Sequence, residues 1–215
     1  MLKLYGHPFS SYTWKALIAL YANGTAFEFR PLGGVDAADD AFVAAASPQG
    51  KFPLLVDGDA VVFEATSIIE HLHLHHPGPA PLLPADPAEA ARVRMIDRVF
   101  DNYVMGIMQE SVAEAIRLGA LSTETRADVE ARLDRSYRWI EGWLEHYPVS
   151  GTATLVECAA APSLFYADWV HPIPDHCPRL KAWRKHLLAL PPVARCVDDA
   201  RPYRAFFPLG APDRD

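Results

Sequence analysis

The stretch Pro77-Gly78-Pro79-Ala80-Pro81 constrains the fold of this chain more than any other feature of its 215 residues. Three prolines in five residues cannot continue a helix, and they favour a stiff connection. Before this stretch, short apolar runs alternate with helical patterns, whereas nearly everything after it has helical spacing. We therefore predict a first domain at residues 1–77, a linker at residues 78–86 and a second domain at residues 87–215.

The first domain is predicted to have the element order βαβαββα. A strand, a helix and a strand within about thirty residues favour two parallel strands. The turn Asp57-Gly58-Asp59 between two apolar runs is typical of a hairpin. The predicted strands are 2–5, 26–30, 53–56 and 60–63; the predicted helices are one capped by Ser10 or Ser11 and ending at Asn23, one at 39–46, and one from Glu64 to about His76.

The second domain is predicted to be all helical. Apolar residues recur at three- and four-residue steps from Pro87 to Leu118, which predicts one long helix. Ser122 begins another helix, and Thr154-x-x-Glu157 has the spacing of a capping box before an apolar helix that we expect to be buried on all sides. Shorter helices are predicted at residues 180–188 and 193–200.

Composition excludes several classes of protein. The formal charge is -7 and the pI is about 5.7, and Lys and Arg form no basic stripe, so we expect no nucleic-acid partner. Since no apolar run reaches the ~18 residues of a membrane span, we expect no membrane association. The cysteines Cys158, Cys177 and Cys196 are too few and scattered for a disulfide framework, so a cytoplasmic location is predicted.

Three short segments of the first domain suggest ligand chemistry. Ser10-Ser11-Tyr12-Thr13 follows a strand and opens a helix, where a serine either caps the helix or joins free N–H groups in holding an anion. Gly50-Lys51-Phe52-Pro53 either places a proline at a strand entrance or contains a cis-proline that turns the Phe52 backbone toward a peptide-like ligand. Glu64 either complements a helix dipole or holds an ammonium group.

In this order and spacing, the three segments resemble a known family. Residues 1–77 resemble the thioredoxin-like glutathione-binding domain of the cytosolic glutathione transferases, and the chain from residue 87 onward is similar to their all-helical domain, including the capping box. Tyr5 to Lys15 is most similar to the serine-type bacterial, zeta-like and theta-like classes. Ser10 and Thr13 stand where thioredoxin-like oxidoreductases keep two cysteines, so dithiol chemistry within this chain is excluded.

The resemblance implies a set of site residues. The active hydroxyl would belong to Ser10, with Ser11 as the second candidate and the phenol of Tyr5 as a rival donor. The other implied glutathione contacts are the Phe52 backbone beside Pro53, the Lys51 side chain near the glycyl carboxylate, and Glu64-Ala65 at the γ-glutamyl end. Ala65 departs from the family's usual serine and removes a hydroxyl donor, unless Thr66 or Ser67 replaces it.

The implied activity is the transfer of glutathione, as a thiolate, to a small hydrophobic electrophile. The same thiolate also serves isomerisation, dehalogenation and peroxide reduction, and a non-catalytic binding or assembly module is the alternative from another class. The resemblance further implies a homodimer in which Asp101 reaches the partner's ligand, with glutathione as co-substrate and no metal.

A histidine cluster and one helix of the second domain are the remaining candidate ligand sites. His71 and His75 share a helix face at a spacing that zinc enzymes use, but no third ligand is adjacent in sequence, so we interpret them as histidines at a helix C-terminus. By analogy with the family, the second substrate is expected to meet the following residues, although core packing explains most of them equally well: Asp101, Asn102, Tyr103, Met105, Met108 and Gln109.

Overall fold

The computed structural model describes residues 1–214 and begins with a four-stranded sheet. Its strands are β1 (Leu2–Gly6), β2 (Phe27–Pro31), β3 (Leu54–Asp57) and β4 (Ala60–Phe63), in the order β2-β1-β3-β4. β1 pairs parallel to β2, and the other pairs are antiparallel. The predicted parallel pair and the predicted β3–β4 hairpin are therefore both confirmed.

Helices cover both faces of this sheet. They are α1 (Ser11–Ala22), α2 (Ala37–Ala46) and α3 (Ala65–His75). Successive strand residues point to opposite faces, so Leu4 joins the core that contains α1 and α3 residues, whereas Tyr5 packs in a second cluster with Val43 of α2. The predicted βαβαββα order is confirmed.

The rest of the chain is helical, as predicted. Residues 76–86 connect α3 to α4 without helix or strand. The helices are α4 (Pro87–Phe100), α5 (Gly106–Leu118), α6 (Thr123–Trp143), α7 (Leu155–Val170), α8 (Pro178–Ala189) and α9 (Pro191–Ala200), with a closing 3-10 turn at Arg201–Phe206.

The helix predicted over residues 87–118 is helical throughout, but it is not α-helical along its whole length. A π-helical turn, Asp101–Met105, separates α4 from α5. The Gly106 N–H donates to the Asp101 carbonyl across this wide turn, and a Cβ at position 106 would lie 3.1 Å from that oxygen. Glycine is the residue that fits this close approach. π-Helical turns occur frequently at functional sites.

Helix α7 forms the centre of the second half. Every residue from Leu155 to Trp169 is buried, as the sequence predicted. The predicted capping box is present: the Thr154 hydroxyl accepts from the Val156 N–H at 3.2 Å, and the Glu157 carboxylate accepts from the Thr154 N–H at 2.9 Å. α7 packs against both α1 and α4, so one continuous core runs from the sheet into the helices.

Candidate active site

The loop between β1 and α1 is fastened to the helix that follows it. The indole N–H of Trp14 donates to the Pro8 carbonyl at 2.6 Å, and the His7 N–H donates to the Thr13 hydroxyl at 3.3 Å. At the end of this loop, Ser10 caps α1 and its Oγ accepts from the Thr13 N–H at 3.3 Å. A serine hydroxyl that accepts in this way still has its own O–H to donate. Capping and anion binding, which the sequence left as alternatives, are therefore compatible at Ser10.

The two predicted serines line the same cavity. This cavity has a volume of about 230 Å³ and is bordered by Ser10, Ser11 and Tyr12 on one side. Ser11 is the first residue of α1 and is buried. The opposite walls are mainly apolar and aromatic: Phe9, Phe52, Met108, Val112, Ile116, Tyr166, Phe206, Phe207 and Pro208, with Gln109.

A second cavity of about 330 Å³ lies beside the first and shares Tyr12 and Phe52 with it. The remaining predicted ligand residues border this cavity: Lys51, Phe52, Pro53, Glu64 and Ala65. The structure thus brings Ser10, Ser11 and the predicted glutathione contacts together around one two-part cleft, although they come from three separate segments of the chain.

The segment before β3 has an irregular backbone. The Phe52–Pro53 peptide bond is cis, which was one of the two interpretations of this proline. The Ser47 hydroxyl donates to the Lys51 carbonyl at 3.1 Å and so holds the loop against the end of α2. Both Lys51 and Phe52 are exposed at the cavity wall.

Glu64 is strained at the start of α3. It has a φ of 68°, and every other residue with a positive φ in the described chain is a glycine. A non-glycine residue held in a sparsely populated backbone region costs about 1–3 kcal/mol, and such residues cluster at functional sites. Its side chain makes no capping hydrogen bond and is exposed at the cavity, where its charge is free to meet a ligand.

An ion cluster lies directly behind this end of the cleft. The Lys15 ammonium is buried and donates to Asp97 at 2.7 Å and to the two oxygens of Asp101 at 2.7 and 2.8 Å. The Arg98 guanidinium also contacts both carboxylates. Burial raises the pKa of the Asp101 carboxyl, and the neighbouring Lys15 ammonium opposes that shift.

The ion cluster also engages the Thr66 hydroxyl, which was a candidate replacement for the hydroxyl of the missing serine at position 65. The Thr66 hydroxyl donates to Asp97 at 2.8 Å and accepts from the Lys15 ammonium at 3.1 Å. Its one proton is therefore committed, and it is not a free donor for a ligand carboxylate. Arg98, in contrast, borders the larger cavity and is half exposed.

Sequence reasoning missed Lys15, Asp97 and Arg98. The available signal was weak: Lys15 falls on an otherwise apolar stretch of α1, and Asp97 and Asp101 are spaced four residues apart beside the apolar Ile96 and Phe100. A tyrosine was also missed. Tyr12 borders both cavities, and burial, assisted by nearby carboxylates, raises its pKa to about 12, so its phenol stays protonated.

The rival donor, Tyr5, lies in the second packing cluster. Its ring is buried and contacts Phe42 of α2 with centroids 5.2 Å apart. Burial raises the pKa of its phenol. Tyr5 is not among the residues that line either cavity of the cleft.

The residues expected to surround the second substrate divide into three groups. Met108 and Gln109 line the smaller cavity, and Asp101 and Asn102 line the larger one. Two expectations were wrong: Met105 is fully buried in the core, and Tyr103 is exposed in a separate groove beside Trp139. Both residues lie within the π-helical turn Asp101–Met105, whose residues per turn differ from those of the α-helix that the sequence pattern assumed. The aromatic residues from the end of the chain, Phe206 and Phe207, were not predicted to take part.

The described part of the chain contains no helix with both the length and the apolar character needed to cross a membrane. Its three cysteines are free and buried.

A thioredoxin-like sheet domain with a polar cleft, joined to a helical domain that closes an apolar pocket, defines a class of two-domain proteins. Comparisons with known proteins identify the family within it. The model of the glutathione S-transferase N-terminal domain matches residues 4–80, and that of the glutathione S-transferase C-terminal domain matches residues 105–191.

Individual relatives agree with these matches. The GST-like protein YibF of Escherichia coli (strain K12) is 31% identical over 192 residues, which cover 88% of this chain and 91% of the relative. A glutathione S-transferase of Silene vulgaris is 28% identical over 203 residues, covering 88% of this chain and 94% of the relative. A solved glutathione S-transferase from Methylobacterium radiotolerans, in complex with glutathione sulfonate, has a TM-score of 0.74 and 27% identity, and the match covers 91% and 94% of the two chains. The chain belongs to the cytosolic glutathione S-transferase family.

Proposed function

We propose that this chain is a serine-type glutathione transferase. It binds glutathione in the larger cavity, and the thiolate forms a carbon–sulfur bond with a small hydrophobic electrophile in the smaller cavity, either displacing a leaving group or adding to an activated double bond. The observation that carries this proposal is the position of Ser10. It caps α1 at the smaller cavity, and this cavity shares Tyr12 and Phe52 with the one bordered by Glu64. A sulfur near Ser10 would thus be presented to the apolar walls.

The energetics suit this assignment. A free thiol titrates near ~8.5, so a useful thiolate at neutral pH needs a downward shift of about two units, or ~2.7 kcal/mol. A hydrogen bond from Ser10 to a charged sulfur supplies ~1.5–3 kcal/mol, and the N-terminus of α1 adds ~0.3–1 kcal/mol. No general base is required. The Ser10 hydroxyl acts as an anion stabiliser, with Ser11 as the second candidate.

The rest of the tripeptide is assigned along the larger cavity. The Phe52 backbone beside Pro53 pairs with the cysteinyl unit, and the Lys51 ammonium lies near the glycyl carboxylate. The Glu64 carboxylate holds the γ-glutamyl ammonium. These assignments follow the family's pattern and are supported by the shared cavity.

Arg98 is assigned a role that the family pattern does not give. Ala65 supplies its N–H to the γ-glutamyl carboxylate but no hydroxyl, and the proton of Thr66 is committed to Asp97. The Arg98 guanidinium borders the same cavity. Its Nε and Nη2 donate to Asp97 and Thr66, which leaves Nη1 to donate one charge-assisted hydrogen bond to a ligand carboxylate. Arg98 therefore compensates for the missing hydroxyl.

The assembly is proposed to be a homodimer. A groove of about 750 Å³ on the outer side of α4 and α6 is lined by exposed apolar residues, including Met95, Tyr103 and Trp139. Val61 and Phe63 of β4 are exposed as well. Large apolar surfaces rimmed by polar residues mark interaction sites.

The same proposal includes the division of the chain into domains at residues 1–77 and 87–215, with a linker at 78–86. It also includes a cytoplasmic location, with which three free cysteines are consistent.

Two measurements on the unmodified chain test this function. Isothermal titration calorimetry should detect glutathione binding, and a general aromatic halide should be conjugated to glutathione at a rate above the uncatalysed reaction. Binding without turnover of any electrophile class would favour the non-catalytic module. No binding at millimolar glutathione would refute both.

A further inference from the structure

A group of three metal-binding side chains lies at the far end of α3 from the cleft. The ring N–H groups of His71 and His76 both point at one carboxylate oxygen, Asp57 Oδ2, at 3.0 and 2.6 Å. The three candidate ligand atoms all lie within 4.8 Å of one another. Neither cavity of the cleft includes any of these residues.

The fold brings these residues together from two segments. Asp57 is the last residue of β3 and is followed by a tight turn at Gly58, whose φ is +58°. His71 lies within α3. His76 follows the last helical residue with φ -133° and ψ 56°, so it leaves helical geometry. It is this departure that lets a residue five positions after His71 reach the same oxygen.

The sequence-based argument against a metal depended on a missing third ligand, and Asp57 supplies it. The pair that meets it is His71 and His76, whereas the sequence suggested His71 and His75. Two imidazole nitrogens and one carboxylate oxygen are the donors that zinc accepts in sites with an open fourth position. We propose that Asp57, His71 and His76 form a binding site for a divalent transition-metal ion, with zinc as the favoured occupant and water as its fourth ligand.

The required rearrangement is small. With zinc bonds of about 2.0–2.1 Å, tetrahedral ligand atoms stand about 3.3 Å apart. The observed separations of 3.0 and 2.6 Å therefore have to widen by less than about 1 Å around the ion, and the two imidazole nitrogens, which lie within 4.8 Å of each other, have to approach to the same spacing. An imidazole that binds the metal through Nε2 carries its ring proton on Nδ1, so Nε2 offers a lone pair to the ion.

The local charge favours a cation. The Asp57 carboxylate oxygen accepts a hydrogen bond from each of the two rings and is the acidic ligand of the group. The C-terminus of α3 directs its free carbonyl groups toward this end of the helix, which stabilises positive charge. The side chains of the three ligands are one-sixth to one-third exposed, so an ion can enter from solvent.

Zinc titration of the full chain without an affinity tag tests the site, using competition with a chromophoric chelator. The expected result is one zinc per chain. The variants His71→Gln, His76→Gln and Asp57→Asn should each weaken binding about tenfold or more, because even substitutions beyond the ligands cost that much in metal sites. His73→Gln is the matched control on the same helix and should bind zinc like the parent.

A second readout needs no variant. Cobalt bound at this site should give the visible absorption of a four-coordinate nitrogen and oxygen complex. Three results would each overturn the proposal. Added cobalt keeps the spectrum of the hexaaqua ion, the zinc stoichiometry and affinity are unchanged in all three ligand variants, or His73→Gln loses as much zinc affinity as the ligand variants do. Since these residues lie outside the cleft, glutathione binding should be the same in all four variants, whatever the outcome for the proposed transferase activity.

Discussion

Replacing Lys15 by methionine should destabilise this protein more than the loss of any surface ion pair. The Lys15 side chain is 1% exposed, and its partners Asp97 and Asp101 are 0% and 13% exposed. Methionine is similar in length and removes the charge with little change in volume. Two carboxylates then share a buried site with Arg98 as their remaining cation.

The size of the effect follows from burial. Removing one partner of a buried ion pair costs about 3–5 kcal/mol, because the remaining charge stays in the interior without compensation. For a protein of this size, each kcal/mol lowers Tm by about 2–4 °C, so we expect a decrease of about 6–20 °C. The core is continuous across both halves of the chain, so one cooperative unfolding transition is expected.

Urea denaturation followed by tryptophan fluorescence measures this loss. Arg92→Met is the matched control, because Arg92 pairs with Glu89 while 72% of its own side chain is exposed. Exposed pairs of this kind contribute about 0–1 kcal/mol. If Lys15→Met lowers the free energy of unfolding no more than Arg92→Met does, the buried cluster does not stabilise the fold as argued.

The same variant should show a specific pH dependence. Lys15 lowers the pKa of Asp101, which burial alone raises, so Lys15→Met should raise that pKa further above its unfolded value. An acid whose pKa is higher in the folded state takes up a proton on folding at pH values between its unfolded and folded pKa. Its contribution to stability is fully present below the unfolded pKa and is lost as the pH rises through the folded pKa. The destabilisation of Lys15→Met should therefore be smaller near pH 5 than near pH 8. A destabilisation independent of pH would contradict the charge argument.

Two other substitutions test the residues assigned to glutathione binding. Arg98→Ala should raise KM for glutathione about tenfold, because one hydrogen bond to a charged group is worth ~1.5 kcal/mol. The control Arg94→Ala removes the ion pair between Arg94 and Glu70 and should leave KM unchanged. Equal effects of the two variants on KM would refute the role of Arg98. Glu64→Gly should raise the free energy of unfolding by about 1–3 kcal/mol, because glycine adopts a positive φ without strain. The same variant should bind glutathione more weakly, because the carboxylate is lost. A variant that is both less stable and fully active would contradict this account.

Much of the fold was predictable because its signals are local. The caps at Ser10, Ser122 and Thr154 and the turn at Gly58 each depend on residues within a few positions of one another, and the structure has all of them. The helix interruption at Asp101–Met105 had a local signal too, in the form of Gly106, but an isolated glycine in a helical pattern is tolerated more often than it widens a turn.

The candidate site was predictable only in part. The resemblance to a family identified residues that the fold gathers around one cleft, and their individual roles stay predictions. The pairing of Lys15 with Asp97 was not predictable, since 82 positions separate the two residues and no periodicity relates them. The same holds for Asp57 and the histidines of α3, because their approach depends on how a hairpin meets a helix end.

The central claim is that a hydroxyl at the start of α1 stabilises the glutathione thiolate. Its most direct test is the ultraviolet titration of the bound thiol in the parent, in Ser10→Ala and in the matched control Ser11→Ala. Loss of one charge-assisted hydrogen bond of ~1.5–3 kcal/mol should raise the thiol pKa by about 1–2 units in Ser10→Ala and leave it unchanged in Ser11→Ala. A bound thiol that titrates at the same pH in Ser10→Ala as in the parent would contradict the account.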